Sequence, residues 1–437
     1  MHRRPVFVAA LAATMLAVVC SLAAGAGSDT PTGASGAREI TPVTDMVPAP
    51  AVTARGWLVY DSAADEPVAG LESGTARPIA SITKLMTALV VTDRAQLSDE
   101  VVIPPSVNEL PADAARMDAR AGERWTVEDL LDAMLVQSAN DAALALATSV
   151  GNGDVDAFVK LMNERADELG LESTHFVSPT GLDGAGDAST STPLDVVTLL
   201  DAALAQPDIA DAVDTKDLEL TRPSGGAKLR FHNRNPLLGT YSGVDAGKTG
   251  FTDAAGYMLV VHDVDEATGG DLIVTTFGST SERTRVSDMR ALLNWARSLR
   301  TEVRVLEGGT PLGSIPIADR DGSIDVFACD DVLATVRVGQ AIHAEIVVPG
   351  QVEAPIREGD EVGEIHIRTG QDPDDGSDPD TAGSAHPPTV APVCSSDAVR
   401  TRSRLDRVRD TAGDWRHALR LGVEQVDDSW HAVRRSL

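Results

Sequence analysis

Positive charge is scarce in this chain. Lys and Arg together number 37 against 66 Asp and Glu, a net charge of -29 over 437 residues. Such a balance excludes nucleic acid as a partner, because a phosphate backbone would be repelled. It also disfavours laying the bulk of the protein on anionic lipid. Lysine is rare even among the basic residues, so Lys84 and Lys248, two of very few, stand out as candidates for a specific role. Cysteine is nearly absent, with only Cys20, Cys329 and Cys394. There is no C-x-x-C and no cluster of histidines, so no zinc site and no other cofactor is expected. Cys329 and Cys394 can form one disulfide or remain two thiols, and the sequence leaves both open.

Apolar residues make up 43% of the chain, enough for a sizeable core, and the length allows two domains. Residues 1–26 read as a secretory signal peptide: His2, Arg3 and Arg4, an apolar run from Val6 to Ala24, and a small-residue site at Ala24-Gly25-Ala26. Val18-Val19 before Cys20 lack the small residue of a lipoprotein signal. The run also approaches the length of a span, which makes an uncleaved anchor the alternative. The expected location is therefore across the cytoplasmic membrane, on the cell-wall side. Residues 27–50, rich in Gly, Ser, Thr and Pro, read as a flexible linker.

From 51 to 300 strands flank a helical block. Gly56–Asp61, Tyr257–Asp265 and Leu272–Phe277 read as strands. Thr126–Leu135, Ala142–Val150, Asp154–Leu169, Thr192–Leu204 and Ser281–Arg300 read as helices. The fold class is α/β (α+β), with an antiparallel sheet against helices. From 301 to 368 short alternating segments predict a small all-β domain. Residues 369–392 are Asp-, Gly-, Ser- and Pro-rich and are expected to be a disordered linker. In the tail, 393–437, Leu405, Val408, Ala412, Trp415, Leu419, Val423, Val426 and Trp430 recur at helical spacing beside arginines. That amphipathic helix suits a membrane surface or a protein partner; folding back on its own chain is the alternative.

Three polar fragments carry the chemistry. In Ser81-Ile82-Thr83-Lys84, read as the first turn of a helix, serine and lysine share one face. A neutral lysine can take the proton of a serine hydroxyl, and burial beside a like charge favours the neutral form. Alone the tetrad is weak, since most of its kind lie on solvated helix surfaces. Ser138-Ala139-Asn140 is a polar break between two apolar helices. There Ser138 can relay a proton to a leaving amine, while Asn140 can hold Lys84 and a substrate amide. Lys248-Thr249-Gly250 offers a fixed cation, a hydroxyl and room for an edge strand to approach an extended substrate.

This ordered set is the signature of penicillin-recognising serine enzymes. Asn233-Arg234-Asn235, Val244 to Tyr257 and Ala354 to Gly363 extend the likeness over roughly 51–367. The sequence resembles the serine D-alanyl-D-alanine carboxypeptidases, the low-molecular-weight penicillin-binding proteins. The resemblance implies a β-lactamase/transpeptidase-like domain followed by a small β domain. It also implies removal of the terminal D-Ala from D-Ala-D-Ala stem peptides of peptidoglycan through an acyl-enzyme on Ser81, with β-lactams as inhibitors. Catalytic Ser81, Lys84, Ser138 and Asn140, substrate-binding Lys248, Thr249, Gly250 and Arg234, and an oxyanion hole from the N–H groups of Ser81 and Phe251 follow from it. Arg285 stands where the family often has an arginine. A class A β-lactamase is the nearest rival, yet Glu172 to Gly181 lacks the Glu-x-x-x-Asn segment which that class uses. A β-lactam or peptidoglycan sensor without turnover is the other alternative.

Overall fold

The computed structural model describes residues 47–183, 187–266, 268–318, 321–338, 342–369, 389–396 and 398–400. The expected signal peptide, residues 27–46 of the expected linker, 370–388 and the amphipathic helix within 401–437 lie outside the described residues. Two compact units divide the chain near residue 300.

The first unit is built on a five-stranded antiparallel sheet. Its strands are β1 (Gly56–Asp61), β2 (Glu66–Leu71), β3 (Val244–Thr252), β4 (Gly256–Asp265) and β5 (Gly270–Ser279), in the order β2-β1-β5-β4-β3. Strand β3 is therefore an edge, hydrogen-bonded to β4 alone within the sheet. Every residue of β5 except Asp271 is buried, which calls for cover on both faces of the sheet. Helix α5 (Pro193–Leu204) and helix α7 (Glu282–Ser298) both pack on this strand. Both starts are legible in the sequence. Thr192 caps α5, with proline in its first turn. Ser281 and Thr284 form a reciprocal cap on α7.

The rest of the helical block comprises α1 (Lys84–Thr92), α2 (Val127–Val136), α3 (Asn140–Val150), α4 (Val155–Glu168) and α6 (Pro207–Asp214). Helix α1 is buried from Lys84 to Val91, so it has no solvent face and runs through the core. Leu85, Met86 and Leu89 share one apolar cluster with Leu58, Val260 and Ile273 of the sheet. The stretch expected as the first α-helical turn is a separate 3-10 turn, Ala80–Thr83, which runs directly into α1. Ala80 enters it at φ 45°, a conformation that costs a β-carbon-bearing residue roughly 1–3 kcal/mol and persists only where surroundings enforce it.

The expected linker yields at its end. The Val47 carbonyl accepts from Trp295 Nε1 at 3.2 Å, so residues 47–50 run along the folded unit. Among the described residues no helix is long and apolar enough to cross a membrane.

The second unit holds β6 (Arg300–Leu306), β7 (Pro311–Pro316), β8 (Ser323–Ala328), β9 (Val332–Arg337), β10 (Ile342–Val347), β11 (Glu361–Thr369) and β12 (Thr389–Ser395). Five form a sheet in the order β7-β8-β12-β11-β10, while β6 pairs with β9. Ile315, Ile324, Val326, Ile365 and Val393 make its core. The boundary expected at 368 and the linker expected through 392 do not hold: β12 is the central strand, and it spans the expected start of the tail at 393. Pro392 conceals it in the sequence, because proline cannot donate to a ladder and reads against a central strand. Here Pro392 faces Glu364, one step from an irregularity between Glu361 and Gly363. Cys329 and Cys394 are joined by a disulfide that closes a loop of sequence separation 65.

Cross-linking a loop of that size removes disorder from the unfolded chain. The double variant Cys329→Ser/Cys394→Ser should lower the stability of the second unit by about 2–4 kcal/mol, read from its urea midpoint. An unchanged midpoint would show that the bond contributes nothing there.

Candidate active site

The 3-10 turn carrying Ser81 packs against edge strand β3. A Cβ on Gly250 would stand 3.0 Å from the Ile79 carbonyl oxygen, 3.2 Å from Ala80 Cβ and 3.3 Å from Ser81 N. The sequence points to Gly250 as room for a substrate; its bare Cα also lets the strand reach the nucleophile's own turn.

Lys84 begins α1, and its amine is completely buried. It contacts Ser81 Oγ at 2.8 Å, Asn140 Oδ1 at 2.8 Å and the Thr180 carbonyl oxygen at 2.5 Å. Burial pushes its pKa well below that of a free lysine, and the Lys248 ammonium pushes it further down; Asp141 opposes them. Lys84 is thereby biased toward the neutral amine that can accept the Ser81 proton.

Helices α2 and α3 are separated by the predicted polar junction. Ser138 sits at φ 61°, in the left-handed region, and breaks the helical path. Its Oγ accepts from Lys248 Nζ at 2.9 Å. Asn140 opens α3, with both its backbone N–H and its Nδ2 donating to the Ala115 carbonyl at 2.8 and 3.0 Å. Its Oδ1 is thus turned to Lys84. Next to it, Asp141 accepts from the N–H groups of Met117 and Ala119 at 3.0 Å each, tying the loop that contains Ala115 to α3.

Lys248 lies on β3 and is 1% exposed. Its pKa falls to about 7, first through burial and then through the nearby charges of Arg234 and Arg285. Arg234 is exposed, with Nε 3.4 Å from Gln137 Oε1. Arg285 is buried, 5.9 Å from the centroid of the Tyr257 ring, and its Nε has no hydrogen-bond partner. The charges of Arg234 and Arg285 thus act on Lys248, whose neighbour in the strand, Thr249, is buried. Phe251 is 48% exposed and stacks on Tyr257 with centroids 4.4 Å apart.

The structure therefore places Lys84 in contact with both Ser81 and Asn140 and joins Ser138 to Lys248. It adds main-chain groups that side-chain patterns do not reveal, the carbonyls of Thr180 and Ala115. Ser178-Pro179-Thr180-Gly181 is legible in the sequence only as a turn.

A family profile described as D-alanyl-D-alanine carboxypeptidase matches residues 43–281. The chain belongs to the D-alanyl-D-alanine carboxypeptidase family. It is similar to D-alanyl-D-alanine carboxypeptidase DacB2 of Mycobacterium tuberculosis, at 37% identity over 209 residues, 48% of this chain and 70% of that protein. It is also similar to D-alanyl-D-alanine carboxypeptidase DacC of Escherichia coli, at 31% identity over 338 residues, 74% of this chain and 82% of that protein. Among solved structures, the cefotaxime-bound form of penicillin-binding protein D2 from Listeria monocytogenes aligns with a TM-score of 0.50 at 30% identity, covering 57% of this chain and 98% of that one. Membership in this family accounts for the antiparallel sheet, the helical block and the three motifs together.

Two buried lysines give this carboxypeptidase-family site opposite pH limbs. Neutral Lys84 is lost as pH falls through its lowered pKa, so turnover at saturating substrate should drop on the acid side. Charged Lys248 is present below about 7 and lost above it, so KM for a carboxylate-bearing peptide should rise with pH above that value. Lys248→Arg keeps its charge at high pH and should flatten the KM limb; a KM limb unchanged in that variant would assign it to another group.

Proposed function

We propose that the protein is a serine D-Ala-D-Ala carboxypeptidase. It removes the terminal D-Ala from peptidoglycan stem peptides through an acyl-enzyme on Ser81. The observation that carries the reading is the 2.8 Å contact between Ser81 Oγ and a buried, deprotonation-prone Lys84 amine. Ser81 attacks the carbonyl of the penultimate residue as Lys84 takes its proton. The N–H groups of Ser81 and Phe251 receive the developing oxyanion. Ser138 gives its proton to the departing D-Ala amine as the C–N bond breaks and takes one in its place from the Lys248 ammonium, which donates to its Oγ. Lys248, Thr249 and Arg234 receive the terminal carboxylate, with Arg285 behind them. Water then releases the shortened peptide. A β-lactam presents a similar carbonyl and carboxylate, so it acylates the same serine.

The fate of that adduct separates the reading from a β-lactamase. Glu172 is exposed, and the group from its loop that reaches Lys84 is a carbonyl, which is a weak activator of water. The β-lactam adduct should therefore persist. The N-terminal leader supports export to the cell-wall side, and the basic apolar stripe of 401–437 supports a contact with a membrane surface or a protein there.

Release of D-Ala from a D-Ala-D-Ala peptide tests the reading, with Ser81→Ala as control. The wild type should release D-Ala and gain one long-lived penicillin mass, while Ser81→Ala should do neither. Rapid loss of the adduct would favour a lactamase, and a stable adduct without D-Ala release would favour a sensor.

A further inference from the structure

We infer that the Thr180 carbonyl, held in place by Gly181, aims the lone pair of Lys84 at the Ser81 hydroxyl; this rests on the acyl-enzyme reading above. Three oxygens surround Lys84 Nζ: Ser81 Oγ, Asn140 Oδ1 and the Thr180 carbonyl. Two of them can only accept a hydrogen bond. The orientation of the Asn140 amide follows from its Nδ2, which donates to the Ala115 carbonyl. A neutral amine has two N–H bonds and one lone pair. Asn140 and Thr180 take the two N–H bonds. The remaining direction faces Ser81, whose hydroxyl can donate. The proton of Ser81 therefore points at the lone pair before substrate arrives. Without the Thr180 carbonyl the amine could turn an N–H toward Ser81 and could no longer receive its proton there. Thr180 touches neither nucleophile nor substrate in this scheme; it is a positioning residue that works through Lys84.

The loop holding this carbonyl is fixed from both sides. Thr87 Oγ1, on α1, donates to the Pro179 carbonyl at 2.7 Å. Gly181 N donates to Ser178 Oγ at 3.0 Å, and Leu182 N donates to Thr180 Oγ1 at 3.2 Å. Gly181 adopts φ 72°, and a Cβ there would stand 1.9 Å from the Ala80 carbonyl oxygen and 2.5 Å from its carbon. One glycine thus seats the loop against the peptide preceding Ser81, while the carbonyl just before it grips the base. Gly181 cannot acquire a side chain without moving one of the two.

Gly181→Ala and Thr87→Val test the inference, with Ser81 acylation by benzylpenicillin followed by stopped flow across pH. Gly181→Ala should lose about 100-fold or more in the acylation rate constant, the scale of a displacement near 1 Å. Pre-acylation affinity for the β-lactam should change little. The acid limb should move to lower pH, because the ammonium loses an acceptor that favours it; a merely structural defect would leave that limb in place. Thr87→Val should shift both in the same direction by less. A folded Gly181→Ala protein with the wild-type rate and limb would overturn the inference. Should that variant fail to fold, a wild-type rate and limb in Thr87→Val would overturn it instead. A wild-type protein that is never acylated would overturn the acyl-enzyme reading itself, a separate failure.

Discussion

Two amines are buried in this molecule close enough to oppose each other's charge, and the catalytic unit is arranged around that constraint. Burying one ammonium without compensation costs several kcal/mol, and a second beside it adds repulsion. The fold relieves the conflict by letting Lys84 favour the neutral form and by surrounding it with oxygens that accept its remaining hydrogens. Lys248 keeps its charge near neutrality only partly, with Ser138 and its neighbour's carbonyl as acceptors. The arginines nearby weaken that charge further until an anion arrives. That concentration of positive charge suits an anion, and the charge of Lys248 disfavours an ammonium at Lys84. The two lysines are thus coupled in one electrostatic arrangement.

That arrangement carries a cost that the rest of the unit offsets. A lysine with a depressed pKa binds fewer protons in the folded state than in the unfolded one. Between about 7 and the ordinary lysine value of 10.5, Lys248 therefore makes the fold more stable as pH rises. Below that window the penalty is present in full. Helix α1, apolar throughout most of its length after Lys84, supplies compensating burial at the place where the charge is hidden.

Much of this can be read from residues alone. Ser81, Lys84, Ser138, Asn140 and Lys248 carry side chains whose chemistry is rare in combination, and their spacing reports which would meet. Helix starts at Thr126, Thr192 and Ser281 follow from capping chemistry that acts within four residues. What escapes is carried by the backbone or by distant partners. The Thr180 and Ala115 carbonyls belong to groups that every residue possesses, so no residue type announces them. Ala80 in the left-handed region is likewise invisible, since alanine has no preference for it. Strand β12 is hidden because its pairing partners, β8 and β11, lie on either side of it in space and its proline argues locally against a strand. The Cys329–Cys394 bond is open for the same reason: two cysteines reveal parity, and only the closed sheet brings their Cα atoms to 5.1 Å.

The central position of β12 also sets an order of events for a chain that emerges from its N-terminus. Everything needed to complete the catalytic unit has appeared by residue 300. The smaller sheet, in contrast, stays open through its middle until residues 389–395 arrive to fill the slot between β8 and β11. Until then two strand edges with unpaired amides stand exposed, available to a chaperone or to a neighbouring chain. Once the strand is in place the Cys329–Cys394 bond secures it, because a cut in the chain just before residue 389 would leave the strand covalently tied to the sheet that it completes.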